Sequence, residues 1–154
     1  MEVEVQMKIE IPTDDDGFML LKCPHCGDFF KLIFSDMEDY GILHIYCPYC
    51  GQVGDSYLTG EAIKLAEAMT KNFALQQMHQ VIKRLERKHK RGLLTFKAGQ
   101  VHQKVYESPV LLVVDTTLIK QYYDCCNRNA KIKPSMKIAG TYCPFCGVKD
   151  FEYK

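Results

Sequence analysis

Lys22-Cys23-Pro24-His25-Cys26-Gly27 and Tyr46-Cys47-Pro48-Tyr49-Cys50-Gly51 frame the stretch that decides the fold: two Cys-x-x-Cys turns with 20 residues between them. Two such pairs at this spacing are the signature of a four-thiolate metal site. Zinc is the default ion, because it accepts four sulfurs in a tetrahedron and has no redox chemistry; iron takes the same ligands. With Cys23, Cys26, Cys47 and Cys50 all bound, no position is left open to a substrate, so the site is expected to be structural.

A third copy of the turn, Cys143-Pro144-Phe145-Cys146-Gly147, stands near the C-terminus and is preceded by Cys125-Cys126, so all eight cysteines fall into two groups. A second zinc site is therefore expected from Cys125, Cys126, Cys143 and Cys146. Its weak point is the adjacent pair. Neighbouring side chains in an extended chain point to opposite faces, so both cysteines reach one metal only if the backbone turns sharply. Asn127-Arg128-Asn129 has the turn chemistry for that. Otherwise one cysteine is a core residue and Asp124 or His102 supplies the fourth ligand.

In each Cys-Pro-x-Cys-Gly turn, proline fixes φ and removes an amide donor, and glycine tolerates the left-handed conformation after the second ligand. These three turns resemble the knuckles of the rubredoxin-like zinc ribbon families over residues 22–52 and 122–148. The resemblance implies a ribbon fold and a metal, and no particular activity. Cys-Pro-x-Cys is also the dithiol motif of thiol-disulfide oxidoreductases, where the first cysteine opens an amphipathic helix whose dipole lowers its pKa. Here glycine and a strand-like segment follow, which speaks against redox work.

Around the knuckles, residues 3–11 alternate apolar and polar and predict a half-buried strand ended by Pro12. Residues 13–17 form an acidic turn, expected to be solvated, and residues 18–22 a return strand. Strands are predicted over 28–34 and 41–46, with a turn between them. Residues 59–91 carry a helical pattern with Thr59 as N-cap, Glu61 in the first turn and a basic end before Gly92. Its apolar residues change side along the helix: Ala62, Leu65, Ala66, Met69 and Phe73 first, then Ala74, Met78, Val81, Ile82 and Leu85. Either the two halves pack on different neighbours, the first on the N-terminal ribbon, or the helix breaks near Asn72. Further strands are predicted over 93–97, 101–106, 109–114, 130–133 and 136–142, with residues 118–124 leading into Cys125.

The expected class is α+β, with two small β-rich zinc-ribbon lobes joined by a long helix: residues 1–58, 59–91 and 92–154. The order of strands and ribbon occurs on both sides of the helix, which suggests an internal duplication. Domains of this size bury little apolar surface, so metal staples make physical sense.

The formal net charge of +1 hides a block pattern: −8 over residues 1–60, +7 over 61–104 and +2 over 105–154. Two zinc ions on eight thiolates lower the total to −3, which is not the balance of a DNA-coating protein. The acidic, alternating N-terminus is not a signal peptide, and no apolar run approaches a membrane span. Paired cysteines then point to a reducing, cytoplasmic setting.

The histidines are expected at the surface or behind the ligands. No nucleophile–base order, phosphate loop or catalytic carboxylate pair stands out, and no small-molecule substrate is evident, so the chain is expected not to be an enzyme. Its expected role is a structural zinc-binding protein that acts as an adaptor or as a subunit of a larger assembly, with a protein partner. The alternative is nucleic-acid binding through Lys83, Arg84, Arg87, Lys88, Lys90 and Arg91, aided by ribbon aromatics such as Phe29, Phe34 and Tyr40. The plain reading of that basic stretch is a solvated helix end whose cations complement the dipole.

Overall fold

A computed structural model of the chain describes residues 8–88, 104–110 and 117–151. Its elements, in order, are β1 (Phe18–Lys22), β2 (Phe29–Ile33), α1 (Phe34–Met37), α2 (Gly60–Lys88), β3 (Ile119–Tyr123), β4 (Arg128–Ile132), α3 (Pro134–Ala139), β5 (Thr141–Tyr142) and β6 (Lys149–Asp150). The α+β class holds, with a long helix flanked in sequence by small antiparallel strand regions. The chain divides into two compact units. Both cysteine groups belong to one, Glu10–Gly60 with Val110–Lys154, and α2 belongs to the other, Met1–Ile9 with Glu61–Pro109.

In the ribbon unit the two hairpins share one antiparallel sheet, in the order β1-β2-β4-β3. The hairpin registers match, Phe18 to Ile33 in the first and Ile119 to Ile132 in the second, and the central strands meet at Lys31 and Lys131. Because β2 and β4 are antiparallel, the two halves are related by an approximate two-fold axis near those lysines. Alternation sorts the faces. Met19, Leu21, Phe30, Leu32, Ala130 and Ile132 point to a core completed by Cys23, Cys47, Tyr123, Cys143 and Phe145. Tyr57, which the sequence reading passed over, packs edge-on against Phe30 at 5.6 Å and donates to the Ile45 carbonyl at 2.7 Å.

The opposite face carries Lys31, only 3% exposed although it sits mid-strand. The turn at Asp14–Gly17 is present, closed by Gly17 N–H donating to the Asp14 carbonyl at 2.9 Å, but its first carboxylate is not solvated. Asp14 Oδ1 accepts from the backbone N–H groups of Asp16 and Phe18. Asp14 Oδ2 accepts from Lys31 Nζ at 3.3 Å and Lys131 Nζ at 2.8 Å, and Asp16 takes a second bond from Lys131 at 2.7 Å.

Three local expectations need correction. Residues 8–12 are not strand, and the remainder of the strand predicted over 3–11 lies outside the described residues. Residues 41–46 form no strand beyond a single bridge between Tyr46 and Val53, because the chain there is devoted to bringing the second knuckle onto the first. Residues 136–142 are not one strand. Pro134, unable to donate in a sheet and preset for a first helical turn, starts α3 instead, leaving only Thr141 and Tyr142 extended. The segment predicted as strand over 93–97 lies outside the described residues, as do parts of 101–106 and 109–114, whose described positions, 104–106 and 109–110, have no regular structure.

In its own unit, α2 runs unbroken through Asn72. That side chain is buried and takes the place of a backbone partner. It donates to the Val105 carbonyl at 2.7 Å and to Glu107 Oε1 at 2.8 Å, and accepts from Val105 N–H at 2.7 Å. Asn72→Ala is expected to cost about 1–2 kcal/mol, because these bonds are lost together while exposed Val105 can turn to water. A denaturation series on α2 helicity would register it, and an unchanged midpoint would show that the tie carries no stability.

Candidate metal centres

Each centre is built from a hairpin turn on one side and a Cys-Pro-x-Cys-Gly knuckle on the other. In the first, Cys23 closes its turn with N–H to the Asp28 carbonyl at 2.9 Å and accepts Gly27 N–H at 3.0 Å. Cys47 repeats the pattern with Gln52 and Gly51, at 2.9 Å each, and Cys143 with Val148 and Gly147, at 2.8 Å each. Three knuckles of one geometry follow from one sequence motif.

The fourth turn is different. Residues 124–127 form the tight turn of the β3–β4 hairpin, with Cys126 N–H donating to the Tyr123 carbonyl at 3.3 Å. Asn127 holds φ at 52°, the left-handed place that glycine fills in the other knuckles, and its Oδ1 accepts the Tyr122 hydroxyl at 2.7 Å. Within a turn, adjacent side chains no longer alternate. Cys125 and Cys126 therefore both face Cys143 and Cys146.

The ligand atoms of Cys23, Cys26, Cys47 and Cys50 all lie within 4.8 Å of one another, and so do those of Cys125, Cys126, Cys143 and Cys146. Asp124 is not part of the second group, and His102 lies outside the described residues. A tetrahedral zinc with bonds of about 2.3 Å requires sulfurs about 3.8 Å apart. The Cys23–Cys50 and Cys26–Cys47 separations are 3.8 and 3.7 Å, and Cys125–Cys146 is 3.4 Å. The donor sets fit a metal ion closed in by thiolates.

Burial raises the Cys47 and Cys143 thiols well above the ordinary 9.0, and Cys125 to about 11. At Cys23 burial acts in the same direction, but the N–H groups of Cys26 and His25 aimed at its sulfur overcome it and bring the thiol down to about 7. Cys23 is thus held partly as thiolate near neutral pH, and a dication must displace the proton at Cys47. His25 acts behind the ligands: its Nε2 meets the Val53 carbonyl at 3.0 Å, tying the first knuckle to the chain just past the second. His44 is exposed, His79 is half-buried on α2, and His89 lies outside the described residues.

The centres touch through their C-terminal knuckles. Tyr46 N–H donates to the Pro144 carbonyl at 2.8 Å, and Tyr142 N–H donates to the Pro48 carbonyl at 2.9 Å. A Cβ on Gly147 would lie 2.9 Å from the Tyr46 ring, and one on Gly51 would lie 3.0 Å from the Tyr142 ring. The sequence reading missed this exchange, although tyrosine precedes both of these knuckles and not the first.

The basic residues Lys83, Arg84, Arg87 and Lys88 are exposed on the last turns of α2, while Lys90 and Arg91 lie outside the described residues. Among the ribbon aromatics, Phe30 and Phe145 are core, whereas Phe29, Phe34 and Tyr40 are exposed. No described helix is long and apolar enough to cross a membrane. Comparison with protein-family models, curated proteins and solved structures found no match to this chain.

Proposed function

We propose that the chain is a non-enzymatic double zinc-ribbon protein of the cytoplasm, which holds two structural zinc ions and works by binding a protein partner as an adaptor or assembly subunit. The observation that carries the zinc reading is the gathering of four cysteine sulfurs within 4.8 Å of one another in each cluster, at the tetrahedral edge in the first and somewhat closer between Cys125 and Cys146 in the second, with no ligand position left over. The partner reading is supported by α2, where Ala74, Met78, Val81 and Leu85 recur at intervals of four, three and four and are exposed. That is the seam by which a helix lies against another helix.

Elemental analysis with native mass measurement tests both parts. Two zinc ions per chain are expected, with a stoichiometric partner that is lost on Val81→Ser with Leu85→Ser. Fewer than two tightly held ions would overturn the zinc reading, and a bare monomer would overturn the adaptor.

A second reading, nucleic-acid binding, is favoured by the four exposed cations at the end of α2. It requires affinity that falls steeply with salt and weakens when Arg84 and Arg87 become alanine. Binding indifferent to both changes would exclude it.

A further inference from the structure

The reciprocal contact between the C-terminal knuckles has a thermodynamic consequence. Tyr46, which donates to Pro144, is the residue before the ligand Cys47. Pro144 itself lies between the ligands Cys143 and Cys146. The reverse bond repeats this relation, with Tyr142 before Cys143 and Pro48 between Cys47 and Cys50. Each knuckle therefore offers the other a carbonyl and a glycine surface, and receives an N–H and a tyrosine ring. Pro48, Pro144, Cys47 and Cys143 are fully buried at this junction. The paired β2 and β4 hold the two halves in register around it.

Resting on the reading that both clusters bind metal, we infer that the two centres load cooperatively, each filled knuckle serving as the template on which the other forms. Without metal, a knuckle is a short loop closed by two backbone hydrogen bonds, and the first ion bears the entropy of ordering it. Once ordered, that knuckle holds its acceptor carbonyl and glycine face in place, so the second ion orders a loop that already has its partner surface. The coupling must be reciprocal, because linkage requires each site to favour the other by the same factor. The approximate two-fold relation supplies the structural form of that equality. Tyr46 and Tyr142 are positioning residues here; neither is a ligand.

The test uses the full-length chain and cobalt(II) or zinc(II) alone. One variant, Cys26→Ser with Cys50→Ser, disables the first centre and keeps buried Cys47 beside Tyr46. The other, Cys125→Ser with Cys146→Ser, disables the second through its two exposed ligands. The remaining centre in each variant is expected to bind metal about tenfold or more weakly than in the intact chain, by a similar factor in both directions. Tyr46→Ala with Tyr142→Ala, in a chain with all eight cysteines, removes the rings while keeping the two backbone N–H bonds, and is expected to bind two ions with that factor reduced. This last titration stands even if a disabled variant does not fold. Two ions bound by the intact chain, with affinities that change less than twofold in either disabled variant, overturn the coupling alone. An intact chain that takes up fewer than two ions overturns the zinc reading beneath it.

Discussion

Removing the metal from the ribbon unit is expected to unfold it. Its apolar core is small: Met19, Leu21, Phe30, Leu32, Tyr123, Ala130, Ile132 and Phe145, with Cys23, Cys47 and Cys143 built into the same cluster. A core of this size contributes only a few kcal/mol beyond the conformational entropy it must offset. A structural four-thiolate zinc contributes about 10–16 kcal/mol of apparent binding energy near neutral pH, more than the whole net stability of most small domains. In the metal-free state no shared ion ties Cys47 and Cys50 to Cys23 and Cys26, or Cys143 and Cys146 to Cys125 and Cys126, so the knuckles lose the link that orders them. Treatment with a strong chelator should abolish the near-ultraviolet signal of the ordered tyrosines and the cooperative melt of the unit. Because the ligands must lose protons to bind, the same loss should follow acidification. A chain shown by elemental analysis to be metal-free, yet melting within a few degrees of the loaded protein, would refute the assignment of the ions as structural.

The parts of the fold legible in the sequence were those whose reason is local. A Cys-Pro-x-Cys-Gly turn carries its own instructions, and three copies predicted three knuckles of one geometry. β1 was placed by the acidic turn before it, β2 by its strand-like residues between the knuckles, and α2 by its helical pattern and end signals. What escaped was set by pairing between distant segments. Nothing near Lys31 announces that it will face Lys131 across the centre of a sheet shared by the two hairpins. Asp14 was taken for a solvated turn residue because its partners lie 17 and 117 positions away. Two signals were nonetheless present. Lys31 interrupts an otherwise apolar strand, which demands a counter-charge. Tyr46 and Tyr142 open two nearly identical hexapeptides, which marked the residues that would meet.

The adjacent cysteines illustrate how a turn brings two neighbouring sulfurs into one cluster. For an extended chain, Cys125 and Cys126 cannot share a metal. In the observed hairpin, the residue that follows them adopts positive φ, which asparagine tolerates better than most side chains. The sequence carried this possibility in Asn127, and the hairpin register of β3 with β4 realised it.

Asp14→Asn should destabilise the ribbon unit by about 3 kcal/mol, the usual cost of removing one member of a buried ion pair. Substitution is nearly isosteric, so the effect isolates charge. If the amide oxygen keeps the Oδ1 place, it still accepts from Asp16 and Phe18 N–H, but the amide NH₂ then points at two ammonium groups where Oδ2 had accepted from both. Lys31 is left buried opposite Lys131 with its counter-charge removed. The pH dependence has a defined sign. Burial of Asp14 favours the neutral acid, but the bonds from Lys131, Phe18 N–H and Lys31 outweigh it and lower the pKa from 3.8 to about 2. Its contribution is therefore complete above about pH 4 and is lost as pH falls towards 2. Lys131, held above its ordinary 10.5 by Asp14 and Asp16 despite burial, contributes at neutral pH and loses that contribution in strong base. Lys31→Met alone should cost less than Asp14→Asn, because Asp14 keeps its bond from Lys131 at 2.8 Å and the apolar side chain suits a covered position. In the double variant it should recover part of the Asp14→Asn loss. Urea melts of the four proteins, metal-loaded throughout, give the interaction energy directly. Strict additivity of the two substitutions would show that Asp14 and Lys31 do not depend on each other and that Lys131 alone supplies the counter-charge.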